Sequence, residues 1–181
     1  MTTVVEHYMS SDELHGSIER PELAGRKKLH ICRISITNTG IVSSSFTNSD
    51  ILTLNIECRV YQRIREAQIA FDFSTSAGDY LFSSTHQDSL TDKGELLPGE
   101  YLFQCPIDLT MFRQGQYKIA VASSVPGVEM LDLVNEPLVF EIFDDSSPIL
   151  RLGQERRGLI VPRYRWSIFS KGVEGELRNY P

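Results

Sequence analysis

Residues Asp108–Ser123 read Asp-Leu-Thr-Met-Phe-Arg-Gln-Gly-Gln-Tyr-Lys-Ile-Ala-Val-Ala-Ser, and this stretch decides the fold. Gly115 permits a tight turn, because glycine adopts backbone conformations that other residues avoid. Beyond it two kinds of side chain alternate, with Tyr117, Ile119 and Val121 on one face and Lys118, Ala120 and Ala122 on the other. A period of two predicts a strand that is buried on one face.

The Gly-x-Tyr pattern at the start of this strand is typical of the tyrosine corner of immunoglobulin-like sandwiches. In that motif the tyrosine ring packs in the core and its hydroxyl bonds to nearby backbone. The residues before Asp108 are therefore expected to form earlier strands of a sandwich. The residues after Ser123 are expected to complete the second sheet.

Six further stretches are predicted as strands separated by turn-forming residues, and all but Tyr80–Thr85 and Pro137–Phe143 alternate with a period of two. They are Cys32–Ile36, Leu52–Val60, Ile69–Phe73, Tyr80–Thr85, Tyr101–Ile107 and Pro137–Phe143. Together with the strand at Tyr117 they make about seven short strands. The sequence therefore predicts an all-β, immunoglobulin-like antiparallel β-sandwich over residues 30–145.

The two ends of the chain differ from this pattern. Residues 1–29 are polar and interrupted by glycine and proline, which predicts a linker with a short helix over Thr3–Met9. Residues 146–170 form a charged arm with a strand-like segment, Gly158–Trp166, and residues 171–181 form a tail. A terminal strand of this kind either folds back or adds to a partner's edge, and we expect exchange within a homodimer.

Charge and composition exclude several classes of function. The chain carries 18 basic and 24 acidic residues, with no basic run that would follow a phosphate backbone, so nucleic acid is not an expected partner. Its three cysteines lack metal-binding spacing and lie in alternating apolar stretches, which indicates free thiols in a reducing compartment. Without a signal peptide or an apolar membrane span, the expected location is the cytoplasm.

No catalytic or cofactor-binding motif occurs in the sequence. It lacks the nucleophile elbow, the His-Glu-x-x-His zinc motif, a Cys-x-x-Cys pair and a phosphate-binding loop. The four histidines are scattered, and His86 alone lies in a long loop where a ligand has access. We expect neither an enzyme nor a metal or cofactor site.

Taken in order, several segments resemble the C-terminal domain of Wzt, the ATP-binding subunit of ABC transporters that export O-antigen and related polysaccharides. They are Leu52–Glu57, Ile69–Gly78, Pro98-Gly99, Gly115–Val121 and Gly158–Pro162 followed by Trp166. The segment Val4-Val5-Glu6-His7-Tyr8 also resembles the helix that follows the ATPase domain in that family.

This resemblance implies a non-catalytic carbohydrate-binding module. Such a module recognises the exported glycan, often at its non-reducing end, at the cytoplasmic face of the inner membrane, and dimerises by exchanging a terminal strand. The implied partners are a polysaccharide, an ATPase domain and a transmembrane permease. Because the chain has no phosphate-binding loop, it is expected to be either an excised C-terminal part or a separate binding subunit.

In an immunoglobulin-like order the strands at Ile69 and Tyr117 are neighbours in one sheet. Their outward residues are then small, and sugars bind to planar hydrogen-bonding groups beside an aromatic platform. The predicted glycan contacts are Asp72, Ser74, Tyr80 and Lys118, with His86 at the rim and Phe82 as the alternative platform.

Two alternatives remain open at this point. The small outward residues also suit an exchanged strand or another packing partner. The whole domain also suits a protein-interaction or adaptor sandwich that binds a polypeptide on the same face.

Overall fold

The structure is a computed structural model that describes residues 13–21, 27–90, 94–147, 150, 152–153, 157–162, 164, 167, 169–171 and 177–179. The predicted helix over Thr3–Met9 lies outside these residues. A 3-10 helix, His86–Ser89, follows the eighth strand. The strands in chain order are β1 Ser17–Glu19, β2 Leu29–Asn38, β3 Ile41–Val42, β4 Ser45–Thr47, β5 Ile51–Val60, β6 Ile64–Arg65, β7 Gln68–Thr75, β8 Tyr80–Thr85, β9 Glu95–Leu96, β10 Gly99–Asp108, β11 Gly115–Val125, β12 Glu129–Leu133, β13 Leu138–Phe143, β14 Phe169–Lys171 and β15 Leu177–Asn179.

These strands form two principal sheets. The first has the order β1-β2-β5-β10, with β3 also paired to β2, and the second has the order β4-β13-β11-β7-β8, with β12 also paired to β11. Their pairs are antiparallel except for β4, which runs parallel to β13. The inner faces of both sheets contribute to one apolar core, in which Leu54 and Ile36 of the first sheet and Phe73 and Ile119 of the second are fully buried. The predicted immunoglobulin-like antiparallel sandwich is confirmed.

The tyrosine corner predicted at the start of β11 is present. Tyr117 is buried, and its hydroxyl donates a hydrogen bond to the Arg113 carbonyl at 2.7 Å. Its ring centroid lies 5.5 Å from that of Phe73 and 6.0 Å from that of Phe112. The corner therefore fixes the turn before β11 and fills the core beneath it.

Part of the predicted linker over residues 1–29 belongs to the sandwich, as residues 15–20 show. The His15 amide donates to the Val139 carbonyl at 2.8 Å, and β1 then pairs with β2 in the other sheet. Gly16 makes this crossing possible, because a Cβ at that position would lie 2.8 Å from the Ser43 carbonyl oxygen. Sequence periodicity missed the segment because an edge strand of three residues shows hardly any alternation.

A buried carboxylate holds this N-terminal segment against the sandwich. Asp132, on β12, accepts hydrogen bonds from Arg20 at 2.7 Å and from Lys27 at 2.6 Å. It also accepts from the backbone amide of Ile31 at 2.8 Å, and the His30 Nδ1 atom lies 3.3 Å from it. Burial alone raises the pKa of the Asp132 carboxyl, but the bonds from Arg20, Lys27 and Ile31 outweigh it and hold that pKa well below its usual range.

The C-terminal segment returns to its own chain. Ile160 forms a bridge with Phe112, the Val161 amide donates to the Met111 carbonyl at 2.7 Å, and the Val161 side chain is buried. The predicted strand over Gly158–Trp166 is thus only a short bridge in the described part of the chain, and the exchange of a strand within a dimer stays a prediction. The expected tail over residues 171–181 instead contains β15, which pairs with β14.

The three cysteines are free thiols, as expected from their positions in alternating stretches. Cys58 is buried in the core, whereas Cys32 and Cys105 are half-buried. Burial, together with the nearby Cys32 and Asp132, raises the pKa of the Cys58 thiol to about 12. Cys58 is therefore a packing residue rather than a nucleophile.

Candidate functional site

The outer face of the second sheet has a floor of small and polar side chains. Across the β7–β11 pair, Ala70 lies opposite Ala122, Asp72 opposite Ala120, and Ser74 opposite Lys118. We call these six residues the outer floor. The residues between them along the two strands, Phe71, Phe73, Ile119 and Val121, are buried on the other face. The predicted neighbours and their predicted outward orientation are both confirmed.

Strand β8 adds an aromatic side chain and a hydroxyl group beside the outer floor. Ser83 lies opposite Asp72 and donates its hydroxyl to the Asp72 carboxylate. A register shift between Phe73 and Ser74 then places Tyr80 opposite Ser74, where its side chain is 75% exposed. Of the two platforms considered, Tyr80 lies on this face. The alternative, Phe82, stacks on Phe73 with ring centroids 5.0 Å apart and belongs to the core side.

The other side of the outer floor carries two apolar residues that sequence reasoning missed. Leu133 lies opposite Ala122 and Met130 lies opposite Ser124, and both side chains are largely exposed. A register shift between Ser123 and Ser124 breaks the alternation of β12, so no period of two marks these residues in the sequence. The outer floor is therefore flanked by Tyr80 on β8 and by Met130 and Leu133 on β12.

His86 does not lie at the rim of the outer floor. The 3-10 helix that it starts is capped by Thr85 and Asp88. The His86 Nδ1 atom accepts a hydrogen bond from the Ile69 amide at 3.1 Å, and its ring centroid lies 5.1 Å from that of Phe103. Burial lowers the pKa of His86, because it disfavours the charged imidazolium. Four of the five predicted contact residues thus share one face, and His86 is on the other side of β8.

His86 faces a cleft of about 520 Å³ between the edge strands β8 and β10. We call it the edge cleft. Its lining combines apolar core residues of both sheets with a polar rim at the 3-10 helix and β10. The apolar residues include Leu54, Ile56, Ile69, Phe71 and Phe103, and the polar ones include Ser84, His86, Asp88 and Gln104.

Neither face presents the side chains of a metal centre. Among the described residues, no group of three or more His, Cys, Asp or Glu side chains is arranged to hold a metal ion. Within the same part of the chain, no helix has the length and apolar character needed to cross a membrane.

Comparison with protein families matches the model of the Wzt C-terminal domain to residues 21–153. The chain belongs to the Wzt C-terminal domain family. The matched range begins just before β2 and includes β2 to β13, so it contains both the outer floor and the edge cleft. Membership of the Wzt family supports a role in a polysaccharide-exporting ABC transporter.

The fold is shared with a solved structure of the same family. The crystal structure of the C-terminal domain of Wzt matches with a TM-score of 0.62 and 12% sequence identity, covering 78% of this chain and 84% of that chain. At this identity the likeness shows the fold alone. Comparison with curated proteins gives no match.

Proposed function

We propose that this Wzt-family domain recognises a polysaccharide of O-antigen type, near its non-reducing end, for export by an ABC transporter. It does so by binding alone, without catalysis. The observation that carries the proposal is the outer floor, where small residues lie beside the Asp72 carboxylate and the exposed ring of Tyr80.

Each group on this face has a distinct part in sugar binding. Ala120 and Ala122 let a pyranose ring approach the sheet closely, because no long side chain rises from that part of the floor. Asp72 accepts hydrogen bonds from sugar hydroxyls, and Lys118 donates to ring or hydroxyl oxygens. The Tyr80 ring supplies an apolar platform for the C–H face of a sugar.

The proposed partners and location are those that the family suggests. The partners are an ATPase domain and a transmembrane permease, and the domain acts at the cytoplasmic face of the inner membrane. A second copy of the chain completes a homodimer. Support for these partners comes from family membership alone.

Isothermal titration with the polysaccharide of the strain that encodes the chain tests this function. Asp72→Ala and Tyr80→Ala each weaken binding by about tenfold, the loss of one charged hydrogen bond or one aromatic contact. Tyr61→Ala is the matched control, because Tyr61 is also exposed but follows the last residue of β5 in the first sheet. Unchanged affinity in both Asp72→Ala and Tyr80→Ala would remove this face from consideration.

One observation favours a second candidate, a domain that binds a polypeptide on the same face. Met130 and Leu133 expose apolar side chains beside the outer floor, and an extended peptide can pack its own apolar side chains against them. Met130→Ser then distinguishes the two. Polysaccharide binding that is lost in Asp72→Ala and kept in Met130→Ser supports the glycan function, whereas a wild-type protein that binds no polysaccharide supports a polypeptide ligand.

A further inference from the structure

Strand β8 separates two differently lined surfaces. Tyr80 and Ser83 pair with the outward residues Ser74 and Asp72, so they lie beside the outer floor on the same face. Ser84 lines the edge cleft on the opposite side of the same strand. A glycan that is bound on the outer floor and crosses β8 therefore reaches the edge cleft directly.

The edge cleft is open because the first sheet ends at β10. In the described part of the chain β10 pairs only with β5, and apolar side chains of both sheets reach the cleft floor. Phe103 is half-buried there and presents an aromatic ring to the cleft. A cleft of about 520 Å³ falls within the usual size range of small-ligand sites.

The polar rim of this cleft offers a donor on His86 and acceptors on the neighbouring 3-10 turn. Because the His86 Nδ1 atom accepts from the Ile69 amide, the neutral ring carries its proton on Nε2 and donates there. The Ser84 hydroxyl donates to the Asp88 carboxylate at 2.7 Å, and the Gln104 amide donates to Asn55 at 2.8 Å, so Ser84 and Asp88 offer a ligand their remaining acceptor positions. An aromatic ring, an apolar floor and a polar rim suit a sugar ring better than they suit an ion or a purely aliphatic chain.

We infer that the edge cleft is a second sugar subsite, and that the glycan bends over β8 from the outer floor into it. This inference rests on the proposed function. With a second subsite, the domain recognises an oligosaccharide of at least a few units instead of a single terminal sugar. Phe103, the half-buried aromatic residue of the lining, offers no partner for an extra hydroxyl, so the cleft selects a sugar that presents a less polar edge there, such as a deoxyhexose.

The test compares oligosaccharides of increasing length, cut from the polysaccharide of the strain that encodes the chain. Isothermal titration of the wild-type protein gives affinity as a function of length, and the inference predicts a rise of about tenfold or more once the ligand spans both surfaces. Phe103→Ala and His86→Asn abolish that rise and leave the affinity for the shortest ligand unchanged. Glu100→Ala, on the same strand but outside the edge cleft, is the matched control. Methyl NMR signals of Ile56 and Ile69 report the fold of each variant and shift only with the longer ligands.

The outcomes separate this inference from the function on which it rests. If the affinity rises with length in Phe103→Ala and His86→Asn as in the wild type, while Asp72→Ala still weakens binding, the edge cleft is not a subsite and the proposed function stands. If affinity does not depend on length at all, the second subsite is also excluded. If the wild-type protein binds neither polymer nor fragments, the proposed function fails and the inference fails with it.

Discussion

Asp72 on β7 lies directly opposite Ala120 on β11, so a carboxylate and a small side chain are cross-strand neighbours on the outer face of the sheet. The same two strands place Phe71, Phe73, Ile119 and Val121 in the core. One pair of strands therefore holds the sandwich together on its inner face and offers a hydrogen-bonding surface on its outer face.

Filling the outer floor should block the ligand without disturbing the core. In Ala120→Leu the added atoms extend outward beside Asp72, so we expect the free energy of unfolding to change by about 0.5 kcal/mol or less. The affinity for the polysaccharide should fall by at least tenfold, because the leucine side chain keeps the sugar ring away from the sheet. Titration calorimetry and urea unfolding measure the two effects. Full binding in Ala120→Leu contradicts the role given to the floor.

Removing one hydroxyl should weaken the tyrosine corner. In Tyr117→Phe the hydrogen bond to the Arg113 carbonyl is lost from a buried position, and we expect the free energy of unfolding to fall by about 1–2 kcal/mol. Urea unfolding followed by circular dichroism measures the change. Tyr61→Phe, at an exposed tyrosine, serves as the control. Equal stability of Tyr117→Phe and wild type shows that the corner does not stabilise the fold.

The sequence predicts the face of a side chain only where apolar and polar residues alternate over a whole strand. Tyr117 and the outer floor were found because β7 and β11 alternate over eight residues or more, and alternation fixes which face each side chain takes. Met130 and Leu133 were missed because a register shift interrupts β12. His86 was placed wrongly because no local pattern shows where a loop turns, and its position depends on the distant Ile69 amide.

The buried carboxylate of Asp132 makes the N-terminal segment part of the stability of the domain. In Asp132→Asn the charged hydrogen bonds from Arg20 and Lys27 are lost and two cations keep a neutral partner, so we expect a loss of about 3 kcal/mol or more. Chemical unfolding at neutral pH measures it. Glu129→Gln, whose carboxylate pairs with Lys28 at the surface, is the control and should change stability by less than about 1 kcal/mol.

The low pKa of the Asp132 carboxyl also makes the stability of the domain depend on pH in the acid range. The pKa of Asp132 is lower in the folded protein than in the unfolded chain, so its contribution is complete above the unfolded value of about 4 and is lost as the pH falls below it. The wild-type protein should lose stability more steeply than Asp132→Asn between about pH 4 and pH 2. Parallel pH curves for the two proteins contradict this assignment.

The C-terminal segment decides the oligomeric state if strands are exchanged. Deleting everything from Gly158 onward should convert a dimer into a monomer, as measured by sedimentation velocity. The shorter deletion from Leu177 onward removes β15 and keeps Ile160 and Val161, so it should leave the dimer intact. A dimer that survives the longer deletion defeats the exchange model.

The most direct test of the central claim is a map of backbone amide shifts as the polysaccharide is titrated into the isotope-labelled protein. Glycan recognition by the outer floor predicts the largest shifts at Asp72, Ser74, Ala120 and Ala122, with little change at the outward residues of β2 and β5. Shifts confined to the first sheet, or no shifts at saturating polysaccharide, would contradict it.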